Sequence, residues 1–238
     1  MSVISRVLGA VCGGVLLLSG VGVAVADEDG MSVLQRFNCS SCHALTKAES
    51  MKPGLWRKGP ALYYAGYKYN SQWVESWLQH PVAVRPTGSF YLDHVKSNYK
   101  MRNTVREHSF RPHAQLNREE ARAVAKTLAG LKDKDKGALI AQEAFQQDVS
   151  LVSVGEMLFE KVYGCMSCHR VEPSYGGLSG PEMYTAGRRL TPAFILSYMR
   201  NPKSWEPRSL MPNKHVPNDN MQKIANYLVD LAKESFNE

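Results

Sequence analysis

Apolar and polar positions alternate with a helical period in two long segments of this chain. Ala121, Val124, Ala125 and Leu128 fall at i, i+3, i+4 and i+7, which lines one face of a helix. Met221, Ile224, Ala225 and Leu228 repeat that spacing near the C-terminus. Asn117 with Glu120 makes a capping box for the first helix, and Asn218 is the equivalent cap of the second. Shorter helices are predicted over 31–37 and 154–163. In the second half, Thr191 caps a helix with Pro192 at its first position. That helix ends at Asn201, because the residue before Pro202 avoids helical geometry. Its counterpart runs from Asn70 to His80. No strand pattern of any length interrupts the series, so the expected fold class is all-α.

The helices come in two sets because the sequence repeats. Gly59-Pro60-Ala61-Leu62-Tyr63-Tyr64-Ala65-Gly66 returns as Gly180-Pro181-Glu182-Met183-Tyr184-Thr185-Ala186-Gly187, an offset of 121 residues. The same offset pairs Ser76 with Ser197, Pro81 with Pro202 and Pro86 with Pro207. Repetition over this length implies two copies of one unit. The expected domains are 27–136 and 137–238, with the boundary near Gly137. The linker is the charged run Lys132-Asp133-Lys134-Asp135-Lys136, followed by a short helix over 138–147. The first copy also carries an inserted loop, 87–112. Ahead of both lies a leader: Arg6, an apolar run over 7–25, and an Ala24-Val25-Ala26 cleavage pattern. It reads as a signal peptide, 1–26, cut after Ala26. The alternative is an uncleaved membrane anchor, since the run approaches the length that spans a bilayer.

Cysteine usage adds the chemistry. Of five cysteines, Cys12 lies in the leader and the other four form Cys39-Ser40-Ser41-Cys42-His43 and Cys165-Met166-Ser167-Cys168-His169. C-x-x-C-H is a c-type haem attachment pattern. Two thiols three positions apart reach the two vinyl groups of one haem, and the next imidazole lies under the iron. A thioredoxin-like or zinc pair explains one such motif but not two, each with histidine in the same place. Two haem c groups are therefore expected, on Cys39 and Cys42 with His43, and on Cys165 and Cys168 with His169. Trp73 and Phe194 occupy matching positions and are expected to pack on the haem faces.

With these features together, the chain resembles the tandem dihaem class I cytochromes c. The likeness rests on C-x-x-C-H near the start of each unit, the Gly-Pro after it, the middle helix, a Met-Pro and the closing helix. It covers about residues 29–131 and 151–235. It implies two tandem all-α domains, each wrapped round one covalent haem, with terminal helices that cross. That crossing sets Gly155 and Phe159 against Tyr227 and Leu228. By the same resemblance Pro60 and Pro181 offer backbone carbonyls to His43 and His169, and Met211 in Leu210-Met211-Pro212 is the distal iron ligand of the second haem. A thioether there raises the reduction potential. The first unit departs from the pattern. Counting back from its closing helix puts Arg111, then Pro112, at the Met211 position. Three readings stay open: Met101 binds from within the longer loop; His108 or His113 binds instead; or the sixth position is open to a small molecule.

Charge suggests a partner. The chain carries a net +7, and residues 27–136 hold 18 Lys and Arg against 11 Asp and Glu, while 137–238 hold 10 against 11. Opposed potentials speed encounters between proteins, so an acidic redox partner is expected on the first unit, and nucleic acid is not. The resemblance implies a periplasmic electron carrier between respiratory redox partners. One alternative is a haem enzyme or enzyme subunit, of peroxidase or sulfur-compound dehydrogenase type, with chemistry at the first haem. Another is a subunit of a membrane respiratory complex. No nucleophile–base pattern, phosphate loop or further metal cluster marks a catalytic residue.

Overall fold

The structure is a computed structural model that describes residues 29–48, 58–88, 91–97 and 103–236. The expected leader, 1–26, lies outside the described residues. The described chain is mostly helical, and no helix in it is long and apolar enough to cross a membrane.

The first half opens with α1 (Gly30–Arg36), whose N-terminus is capped by the Asp29 carboxylate accepting from Met31 N at 2.8 Å. Asn38 then takes a left-handed conformation, φ 51°, and turns the chain into a single 3-10 turn, Cys39–Ser41. After the Gly-Pro stretch come α2 (Ala65–Lys68) and α3 (Ser71–Gln79), the latter between caps Asn70 and His80. The insertion folds as a one-turn helix, α4 (Tyr91–His94), and a hairpin of β1 (Val95–Ser97) with β2 (Asn103–Val105), pairing Val95 with Val105. The long α5 (Arg118–Gly130) starts on the Asn117/Glu120 capping box.

A helix then crosses the expected boundary. α6 (Lys134–Ile140) is capped by Asp133, which accepts from Lys136 N at 3.0 Å. Gly137 lies inside α6, and the helix expected over 138–147 stops at Ile140. The second half repeats the first with variations. α7 (Val152–Met157) runs on into one π-helical segment, Leu158–Val162. Gly164, φ 60°, takes the place of Asn38 before the second 3-10 turn, Cys165–Ser167. A small hairpin, β3 (Arg170–Glu172) with β4 (Tyr175–Gly176), precedes α8 (Ala186–Arg189). α9 (Pro192–Arg200) keeps its predicted caps, Thr191 and Asn201. α10 (Pro202–Trp205) follows, and α11 (Asn218–Leu231) closes the fold. Its N-cap is Pro217 rather than Asn218, whose side-chain oxygen instead accepts from Arg200 at 2.9 Å. The two hairpins are strands of two or three residues, too short to leave an alternating pattern in sequence.

First and last helices of each half cross at close range. A Cβ on Gly30 would run into the Ala123 carbonyl, and one on Gly155 would run into the Lys223 carbonyl and lie 2.9 Å from Tyr227 Cβ. Phe159 packs on Tyr227 with ring centres 5.8 Å apart. One apolar core gathers Val33, Leu34, Val74, Leu78, Val124 and Leu128 of the first half. The other gathers Phe159, Phe194, Trp205, Met221, Ile224 and Leu228 of the second, and it also takes in Ala61 and Tyr64 of the first. Tyr64 sits edge-on to Trp205 at 5.2 Å, with the Lys136 ammonium over both rings.

The halves meet about an approximate two-fold axis. Tyr69 and Leu190 form an isolated antiparallel bridge. Asn70 N donates to Arg189 O, and Thr191 N donates to Lys68 O, both at 2.9 Å. Tyr69 thus meets its own counterpart in the repeat, and the two hydrogen bonds are images of each other, since the 121-residue offset takes Lys68 to Arg189 and Asn70 to Thr191. Such self-complementary contact is the signature of an isologous interface, here within one chain.

Candidate functional site

Both C-x-x-C-H motifs fold alike because the same backbone bonds hold them. His43 N donates to Cys39 O at 2.9 Å, and His169 N to Cys165 O at 3.1 Å. Ser41 Oγ donates to Asn38 O, and Ser167 Oγ to Gly164 O, which pins the spacer residues in the turn. In each motif the second cysteine clips the Gly-Pro loop: Gly59 N donates to Cys42 O at 2.9 Å and Gly180 N to Cys168 O at 2.7 Å. Cys39, Cys42, Cys165 and Cys168 are thiols, not disulfides. Burial pushes the pKa values of Cys39 and Cys165 up, which keeps both protonated at neutral pH.

That clipped loop positions the imidazoles. His43 Nδ1 lies 2.8 Å from Pro60 O, and His169 Nδ1 lies 2.7 Å from Pro181 O. A carbonyl only accepts, so Nδ1 carries the proton and donates, which leaves Nε2 of each ring unprotonated, with the lone pair that a metal would take. The glycine before each proline makes room. A Cβ on Gly59 would stand 2.7 Å from His43 Nδ1, and one on Gly180 would stand 2.5 Å from His169 Cε1. His169 is only 9% exposed. Burial lowers its pKa, the Pro181 bond opposes that shift, and the charges of Arg189 and Arg85 add to it. A neutral imidazole, the form that ligates metals, is the result.

The other expected residues fall at varied distances from these rings. Met211 is half-buried in the loop before α11, with its backbone N donating to Ser209 Oγ, which also bonds the Tyr198 hydroxyl. Met101 lies outside the described residues. His108 is exposed in a 3-10 turn, Glu107–Ser109. His113 is brought to the first motif, its ring centre 6.1 Å from that of His43 and 4.6 Å from the Trp77 indole. Trp73 stacks between Tyr69 and Trp77, and Phe194 is buried edge-on to Trp205.

The sequence did not reveal how the first half reaches into the second. Residues after α3 lie along the loop that follows the second motif. Val84 O accepts from Glu182 N at 3.0 Å, Arg85 Nη2 donates to Ser179 O at 2.9 Å, and the fully buried Thr87 donates to Leu178 O at 2.8 Å. A groove of about 580 Å³ separates Tyr91 and Asn103 of the insertion from Ser167, Gly177 and Ser179. Behind the Gly-Pro loop, Glu182 and Arg189 form a buried pair completed by Thr185. Arg85 was visible in one respect: its partner at the 121-residue offset is Glu206, a reversal of charge within the repeat.

The donor set fits a covalently held haem. Each site offers two thiols and one imidazole on a single turn, backed by a glycine cradle. Among the described residues Arg85 Nε and Arg170 Nε are buried without a hydrogen-bond partner, as cationic groups suited to a carboxylate would be. Among the described residues no group of three His, Cys, Asp or Glu side chains is arranged to hold a bare metal ion. No protein family, curated protein or solved structure matches the chain.

Proposed function

We propose that this chain is an exported electron carrier of two tandem class I cytochrome c units, each holding one covalent haem. The observation that carries the reading is the doubled arrangement of motif, proline carbonyl and glycine cradle. Both copies of the repeat arrive at the same geometry to within 0.1 Å in the ring–carbonyl distance. Bound haem iron supplies a one-electron couple. The chain's own residues supply the rest. Cys39, Cys42, Cys165 and Cys168 tether the group, and His43 and His169 present Nε2 to it. Pro60 and Pro181 fix the tautomer and orient the rings. Arg85, reaching from the first unit to Ser179 O of the second, would supply a cationic group for a carboxylate of the haem held there. Met211, in a loop anchored by Ser209 and Tyr198, would be the second ligand there, as the resemblance implies, and its thioether would raise that site's potential. The leader 1–26 directs export to the periplasm, where c-type haems are attached, and the basic first unit suits an acidic redox partner.

The test is haem stoichiometry of the purified full chain, read by a pyridine haemochrome spectrum and by intact mass. Two haems per chain, reversibly reduced by one electron each, are expected. Replacing Cys165 and Cys168 by alanine should leave one. A chain that matures with both motifs intact and carries no haem would overturn the proposal.

A further inference from the structure

We infer that His113 is the second axial ligand of the group held by His43, so that the first unit uses two imidazoles where the second uses an imidazole and a thioether. This rests on the haem reading above and adds to it the one ligand that the repeat fails to supply.

The separation of the rings is the main argument. The His43 and His113 centres stand 6.1 Å apart. A metal–imidazole bond is about 2 Å, and a ring centre lies roughly 1.1 Å beyond its nitrogen, so two imidazoles on opposite sides of one metal stand about 6.2 Å apart. The planes differ by 61°, which two ligands sharing one bond axis accommodate by turning about it.

Hydrogen bonding and packing agree. His113 Nδ1 lies 2.8 Å from Ala114 O, as His43 Nδ1 lies 2.8 Å from Pro60 O. Both rings thus engage a carbonyl through Nδ1, and both have Nε2 as the ligating nitrogen. The His113 ring is set against Trp77, whose indole N–H donates to Val82 O at 2.9 Å. Three residues on, buried Leu116 donates its N–H to Leu78 O at 2.9 Å, which ties the segment to the end of α3. His113 therefore stands three residues from a point where the chain is tied to α3. Arg111, at the register of Met211, has no lone pair to offer, and the histidine two positions later takes the role. His108 and His113 are both exposed, but it is the His113 ring that stands 6.1 Å from His43.

The consequence is inequality. Replacing a thioether by an imidazole lowers the reduction potential, so the first site is the lower of the two. The basic half of the molecule thus holds the stronger reductant.

The experiment uses the haem-loaded full chain. The ferric wild-type protein should show one far-red methionine-to-iron band for every two haems, and two low-spin species in its EPR and near-infrared magnetic circular dichroism, one with a bis-imidazole signature. His113→Ala should convert one haem of the two to high spin and open it to cyanide, and added imidazole should restore low spin. His113→Met should add a second far-red band and raise the lower potential. Met101→Leu and His108→Ala should leave the spectra unchanged. Two far-red bands in the wild type, an unaltered His113→Ala spectrum, or a high-spin haem in Met101→Leu or His108→Ala would each overturn the inference. The wild-type spectra decide even if a variant fails to fold. Two haems per chain with no effect at His113 would sink the ligand assignment alone, whereas fewer than two would sink the haem reading beneath it.

Discussion

Gly180→Ala puts the geometry of the second site under a direct strain. Gly180 has no positive φ, so alanine meets no backbone penalty there; what it meets is the His169 ring, 2.5 Å from the new Cβ at Cε1 and 2.6 Å at Nδ1. Ordinary contact begins near 3.4 Å, so ring or loop must retreat by roughly 0.9 Å. The Nδ1 to Pro181 O bond is 2.7 Å now, and a retreat of that size carries it out of hydrogen-bonding range. Crowding a packed site costs about 1–3 kcal/mol, and an unmade buried hydrogen bond costs about as much. The two are alternative outlets for one strain, so about 2 kcal/mol is expected, a fall of roughly 4–8 °C in Tm for a chain of this size. Thermal unfolding measures the loss. Potentiometric titration with EPR measures the site, where the potential and ligand field of the second haem should change and those of the first should not. Gly59→Ala should do the mirror experiment. A Gly180→Ala protein with wild-type Tm and an unchanged second haem would refute the cradle.

Other predictions follow from neighbouring features. Gly164, φ 60° with open space around it, should tolerate asparagine, since Asn38 does the same work in the first unit at φ 51°; alanine there should cost about 1–2 kcal/mol by denaturant titration. Arg189→Met strands the Glu182 carboxylate, 3% exposed, and should cost about 3–5 kcal/mol; a negligible loss would refute a buried charge held by Arg189. Arg85→Gln, a change in the first unit, should lower the potential of the haem on His169, and an equal shift in both haems would argue against that cross-unit role. Neutralising Lys96, Arg106 and Arg111 should flatten the salt dependence of electron transfer with an acidic partner; an unaltered slope would remove the docking idea.

How much of this was legible varied with how local the determinants are. α9 was readable to the residue, because a threonine cap, a proline at the first position and a proline after the end each act within the helix itself. The presence of two like units was readable because residues 59–86 return without a gap at 180–207; how the units pair was not. Charged residues 132–136 misled for a physical reason. They look like a linker, yet Asp133 caps α6, and Lys136 lays its chain against Tyr64 and Trp205, contacts that exist only after the halves dock. The π-helical segment at Leu158–Val162 and the two hairpins carry no periodic signal at their length. At the sites, the repeat marked Cys, His, Gly and Pro together. His113 stayed one of several candidates because its nearness to His43 depends on how a long insertion returns, and Arg85 was missed because its target lies in the other unit.

The two-fold contact at Tyr69 and Leu190 also has a bearing on individuality. Were the halves separate identical chains, any change in one would appear in the other, and both sites would stay alike. Covalent joining lifts that obligation while keeping the mutual grip. The insertion, its His113, and Arg85, whose counterpart in the repeat is the oppositely charged Glu206, all belong to one half only. A molecule built from near-equal parts thereby acquires a front and a back.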